Sequence, residues 1–276
     1  MHGVAARGSG AQAQVLSDLA RLPVTVLTAV LGLWLVTNGH LSGTERRSWI
    51  WLEVAFVVNA IAHVGSLAQS LAPGQRPFPT VVDYLYAGAT PAMVVGVMLV
   101  PAVVRSRAER RKLFVDSLIV VTSACTTLWY LEIAPLLQIP GADVEVIAFS
   151  AAVPVLDLLL FFALVTLLLR RPDLGLVLAL LGACLLLKVL ADSTYVIAIV
   201  QFGVVFAPDS WIFLPWAAAD FLALLAVHHR LKQQERPHGE RRRIATFTWL
   251  PYGATALAYA MLVFVGRNES LYGLGA

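Results

Sequence analysis

Three acids and a lysine sit where charge is expensive: Asp157, Lys188, Asp192 and Asp220 each fall inside a long apolar run. An ionised group at mid-bilayer costs at least ~2.5–3.5 kcal/mol on insertion scales, so such residues face a bundle interior and have partners. Lys188 and Asp192 are i,i+4 and share one helical face, which Cys184 and Tyr195 extend. The chemistry open to this set is an ion-pair clasp between neighbouring helices, or a relay for protons or ions. One lysine among several acids leaves an excess of negative charge, so at least one aspartate is expected to be protonated. The expected arrangement pairs Lys188 with at least one of Asp157, Asp192 and Asp220.

Further polar stripes follow helical spacing. Asn59, His63, Ser66 and Ser70 share one face, and Asp116, Ser123, Thr127 and Tyr130 share another. Both read as surfaces for hydrogen bonds between helices. Asp83, Glu53 and Glu132 lie near the ends of their apolar runs, where water or headgroups are expected to be in reach. His63 is alone at its depth, and His228 and His229 lack a third ligand, so no metal site is expected. Cys125 and Cys184 stand far apart inside apolar runs and read as small core residues rather than a redox pair. There is no phosphate-cradling glycine loop, nucleophile elbow, HExxH or paired-cysteine motif. Neither a cofactor nor catalysis is expected.

The elements that must position these residues are eight apolar stretches, at about 22–38, 48–70, 80–103, 112–134, 145–169, 174–200, 209–229 and 244–265. Each approaches the roughly 20 residues that a spanning helix needs. Hydrophobic residues make up 59% of the chain and charged residues 13%, against about 25% charged in a soluble domain. The sequence therefore predicts an all-α, polytopic membrane bundle of about eight helices over 22–265. A disordered tail is expected over 1–21, and a short tail or the start of a further helix over 266–276.

The loops give the orientation. With 104–111 and 230–243 facing the cytoplasm, 15 Lys and Arg lie inside and four outside, as the positive-inside rule requires of a protein in the cell membrane. The net charge of +3 belongs to membrane edges and anionic lipids, not to nucleic acid.

Several landmarks occur in order. Asp83, Tyr86 and Pro91 stand in VVDYLYAGATP, Asp116 in FVDSLIVV, and Ile133 to Leu137 read IAPLL. Pro154 and Asp157 form a Pro-x-x-Asp-Leu-Leu turn, Ala191, Asp192 and Tyr195 an Ala-Asp-x-x-Tyr element, and Trp216 and His228 mark a further helix. Over residues 77–265 this resembles the N-terminal multi-pass membrane region of bacterial GGDEF/EAL signalling proteins, the diguanylate cyclases and cyclic-di-GMP phosphodiesterases. Thr90 and Val153 replace aromatic residues that often precede the proline there, and His229 replaces a usual proline. The GGDEF and EAL output domains are absent from these 276 residues.

The resemblance implies a sensory or anchoring module, non-catalytic by itself. A ligand, lipid or membrane state would act on a polar layer comprising Asp83, Asp116, Asp157, Lys188, Asp192, Tyr195 and Asp220. Its expected partners are membrane lipids, a cytoplasmic output domain or partner protein, and a second copy in a homodimer. Two other readings stay open: a secondary transporter or ion-coupled permease using Asp157, Lys188, Asp192 and Asp220, and an intramembrane enzyme acting on a lipid.

Overall fold

The computed structural model describes residues 2–72, 78–101, 107–137, 143–170, 175–202 and 214–234. Among these the chain forms seven helices and no strand: α1 (His2–Asn38), α2 (Gly43–Leu71), α3 (Val81–Met98), α4 (Arg107–Leu128), α5 (Val144–Arg170), α6 (Leu176–Phe202) and α7 (Leu214–Gln234). In lipid no water satisfies backbone N–H and C=O groups, so a helix that bonds its own backbone is the natural element for such apolar runs.

Five segments are long and apolar enough to cross a membrane: Asp18–Asn38, Gly43–Leu71, Val81–Met98, Val144–Leu168 and Leu176–Tyr195. The chain is a multi-pass membrane protein. Two expected spans do not reach that standard. In α4 only Leu118–Leu128 is apolar, because Arg107, Arg110, Arg111, Lys112 and Asp116 occupy its first half. Helix α7 carries Asp220, His228, His229, Arg230 and Lys232. The stretch 244–265 lies outside the described residues, as does the tail 266–276. Helix α1 begins at His2, within the stretch 1–21 expected to be a disordered tail, where five alanines, the best helix formers, occur.

Helix α2 packs against α1 and α3, α3 against α5, α5 against α4 and α6, and α6 against α7, which returns to α1. The core runs through this ring, with Leu35, Leu52, Leu160, Leu185 and Val227 almost fully buried. Val30, Trp34, Ile61, Val64, Val155 and Leu190 are exposed on its outside, as expected of side chains that meet lipid tails rather than water. Helices α2 and α3 approach closely at Gly96. A β-carbon there would stand 2.9 Å from the Leu52 backbone nitrogen, and buried Ser48 donates to the Gly96 carbonyl at 2.7 Å. Small residues let membrane helices approach this closely.

Beyond Leu128, α4 continues through a wide turn, Trp129–Ile133, in which the Ala134 N–H bonds to the Trp129 carbonyl five residues back. Pro135 follows at once. In a regular α-helix its ring would meet the Leu131 carbonyl; the wider turn relieves that crowding.

Candidate functional site

The polar residues gather in two groups that meet at Lys188. The first is built on Asp220, on the second turn of α7. Arg21 of α1 reaches it across 199 positions of sequence, with Nη2 at 2.7 Å and Nε at 3.1 Å from the same Oδ2. On the other side of that oxygen, His63 Nε2 of α2 lies 3.7 Å away. The His63 ring is fully buried. Its Nδ1 is 3.0 Å from the Tyr86 hydroxyl of α3, and the two rings meet edge to face at 5.2 Å. One turn along α2, Ser66 and Ser70 donate to Asp18 of α1, at 3.1 and 2.9 Å from Oδ2. The stripe expected on α2 is thus an interhelical surface: it binds α1, α3 and α7.

A cavity of about 20 Å³ adjoins Asp220, room for roughly one water. Thr25, Thr28, Asn59, Lys188 and Asp220 give it polar walls, and Phe56, Met93 and Cys184 apolar ones. Thr25 and Thr28 return their own hydroxyl protons to carbonyls within α1, which leaves hydroxyl lone pairs available.

The second group lies where α5, α6 and α7 meet. Asp157 of α5 is buried and its Oδ2 has no hydrogen-bond partner. Its carboxyl adjoins that of Asp192 on α6, with Lys188 and Glu132 also in electrostatic range. Asp192 Oδ1 accepts from the Trp216 indole nitrogen of α7 at 2.6 Å, and Tyr195 stacks edge to face on Trp216 at 5.5 Å. Glu132 enters from the wide turn after α4, fully buried, with Ser193 of α6 beside its carboxyl.

Several expectations need correction. Lys188 forms no ion pair within 4.0 Å among the described residues; Asp220 is instead held by Arg21, which stands near the start of the apolar segment Asp18–Asn38 of α1. Asp83 lies within electrostatic range of Tyr195 and also has a local role. Its Oδ2 accepts from the Thr80 amide at 2.7 Å and the Thr80 hydroxyl at 2.8 Å, which caps α3 as Ser/Thr-x-x-acid boxes do. Asp116 is half-buried on α4 and makes no hydrogen bond or ion pair among the described residues. Ser123 and Thr127 bond back to carbonyls of their own helix, so that face does not tie α4 to a neighbour through them. Glu53 and Glu132, expected near water, are 6% and 0% exposed. Glu53 is pressed against Gly32 of α1, where a β-carbon would collide with its Oε2, and neither of its oxygens has a partner.

Asp18, Arg21, Glu53, Tyr86 and Glu132 join the polar set without having been singled out for it by the sequence. Tyr86 carried a usable signal, three residues after Asp83 on an apolar helix. Arg21 carried little, since it stands at the start of its apolar run. Among the described residues no group of three His, Cys, Asp or Glu side chains is placed to hold a metal. Compared with known proteins, the chain matches no family model, no curated protein and no solved structure.

Proposed function

We propose that the chain is a membrane sensory or anchoring module of a cyclic-di-GMP-type signalling system, without catalysis of its own. The observation that carries this is the sharing of Asp220. Arg21 holds the carboxylate, His63 stands 3.7 Å from the same oxygen, and Lys188 lines the same cavity. Cations from α1 and α6 and a buried histidine from α2 therefore surround one acid. A signal that favours one partner over another would shift a two-state equilibrium by its differential affinity for the two arrangements. The signalling system itself is proposed from the resemblance in the order and spacing of the landmarks over 77–265.

In this reading the chain crosses the cell membrane about eight times, with 104–111 and 230–243 in the cytoplasm. Helix α7 is included because its charges are paired inward at two levels. Asp220 meets Arg21 near its start, and near its end Arg230 meets Glu45 of α2 at 2.7 Å. The ten-residue step from Asp220 to Arg230 covers about 15 Å of helix, so α7 runs beside α1 and α2 through about half of a hydrocarbon core of about 30 Å. Lipids are partners by necessity, and an output domain or partner protein on the cytoplasmic side would receive the signal.

The test is cellular cyclic-di-GMP content in a deletion strain complemented with the wild-type chain or with Asp220→Asn. The deletion is expected to change that content. The wild type restores it, and Asp220→Asn, inserted at equal level, does not. Unchanged content on deletion overturns the proposal, as does turnover of cyclic-di-GMP by the purified chain. A proton- or ion-coupled permease is the second reading. It is favoured by Lys188, which stands within electrostatic range of acids in both groups but within 4.0 Å of none of them among the described residues. Flux in proteoliposomes, lost in Lys188→Met, would decide for it.

A further inference from the structure

We propose that Asp157 and Asp192 form a proton-binding site, in which one exchangeable proton is shared between two carboxyl groups inside the bundle. The inference rests on the reading of the polar layer as the responsive element, and it names the proton as that layer's ligand.

Two adjoining carboxyl groups repel each other when both are ionised, and one proton between them turns repulsion into a hydrogen bond. The surroundings assign the roles. Asp192 accepts the Trp216 N–H at 2.6 Å, which stabilises a carboxylate there, and Lys188 stands one turn away on the same face. Asp192 is the carboxylate. Asp157 is 3% exposed, and its Oδ2 has no partner. A carboxylate there would leave a buried negative charge unanswered; an acid O–H donating to Asp192 leaves only a carbonyl oxygen without a donor.

Among the described residues, the charges around the pair do not supply a second uncommitted cation. Glu132 adds another buried carboxyl from the turn after α4. Arg21 lies within range of Asp192 but is bonded to Asp220. Tyr195 and Trp216 bring a phenol and an indole. Lys188, which also lines the cavity beside Asp220, is thus the cation left to answer Asp192. Loss of the proton to water gives hydronium and two adjoining carboxylates facing one lysine, which drives α5 and α6 apart at this level. Uptake reverses the step.

Infrared spectroscopy on the full chain in detergent or lipid, with carbon-13 in the aspartate side-chain carboxyls only, tests this in the wild type. Near pH 7 an exposed aspartate, with an ordinary value of about 3.9, is ionised. A protonated-carboxyl band that moves with the aspartate label, and shifts again in heavy water, is the expected result. The label separates aspartate from the buried Glu53 and Glu132. Absence of such a band overturns the proposal, and so does a band that does not exchange.

Asp157→Asn and Asp192→Asn are each expected to abolish the band, since either leaves Lys188 with a single carboxylate. Asp143→Asn, at an exposed loop position, should leave it intact. A band that survives in either folded carboxamide variant places the proton elsewhere and refutes the assignment. An intact band together with unaltered cellular cyclic-di-GMP on deletion of the chain would sink the signalling reading and leave the proton site standing.

Discussion

Arg21→Met isolates the contact on which the first polar group depends. The substitution keeps an unbranched, apolar stem and removes both hydrogen bonds to Asp220 Oδ2, at 2.7 and 3.1 Å. Breaking a buried pair by removing one partner costs about 3–5 kcal/mol in soluble proteins, because the other charge is stranded. Two features lower that here. The side chains retain 18% and 12% exposure, so solvent screens them in part, and a membrane-unfolded chain finds substitute partners, which brings the expectation to about 2–3 kcal/mol. Asp220→Asn in the same background removes the stranded charge, and the double variant should return to within about 1 kcal/mol of wild type, a coupling that only contacting residues show. The assay is reversible unfolding of the purified chain by titration of mixed micelles with a denaturing detergent, followed by tryptophan fluorescence. Arg21→Met within about 0.5 kcal/mol of wild type, the range of an indifferent surface change, refutes the reasoning. So does a double variant whose loss is the sum of the two single losses.

Other outcomes follow from the packing. Gly96→Ala places a methyl group against the Leu52 backbone and should cost about 1–3 kcal/mol by forcing α2 and α3 apart, measured in the same unfolding assay. Glu53→Met removes two buried oxygens that lack partners while keeping the side chain's length, and is expected to raise stability by about 1–3 kcal/mol; a loss would show that Glu53 has a compensating partner. Reporter fusions after Lys112 and within 232–240 should read cytoplasmic and fusions within 138–143 external; a cytoplasmic reading at 140 breaks the orientation.

The sequence made the membrane bundle legible because apolar length is a one-dimensional property. Five of the expected stretches recur as helices long and apolar enough to cross. It also placed Asp157 and Asp192 in the interior, because charge at mid-span has no other low-energy position. Partner choice was not legible. Asp220 has Lys188 as a candidate on the adjacent helix, yet Arg21 takes it from a helix 199 positions away; that depends on how the ring of helices closes, which periodicity does not encode. Depth was misjudged for Glu53 and Glu132 because position along a span says nothing of how neighbouring helices overhang its end. Asp83 was legible in principle: Thr80-x-x-Asp83 before an apolar run is a capping pattern, and its family-like spacing drew attention from that simpler role.

The wide turn after Leu128 has a consequence for the register of this segment. Such a turn holds one more residue than an α-helical turn, so everything after it is out of phase with α4 by that residue. Glu132 is buried within this dislocation, and Pro135 denies the chain an N–H at one edge of it. The segment from Leu128 to Leu137 is thus a fixed phase step: the side chains beyond it face a direction that a continuous α-helix would not give them.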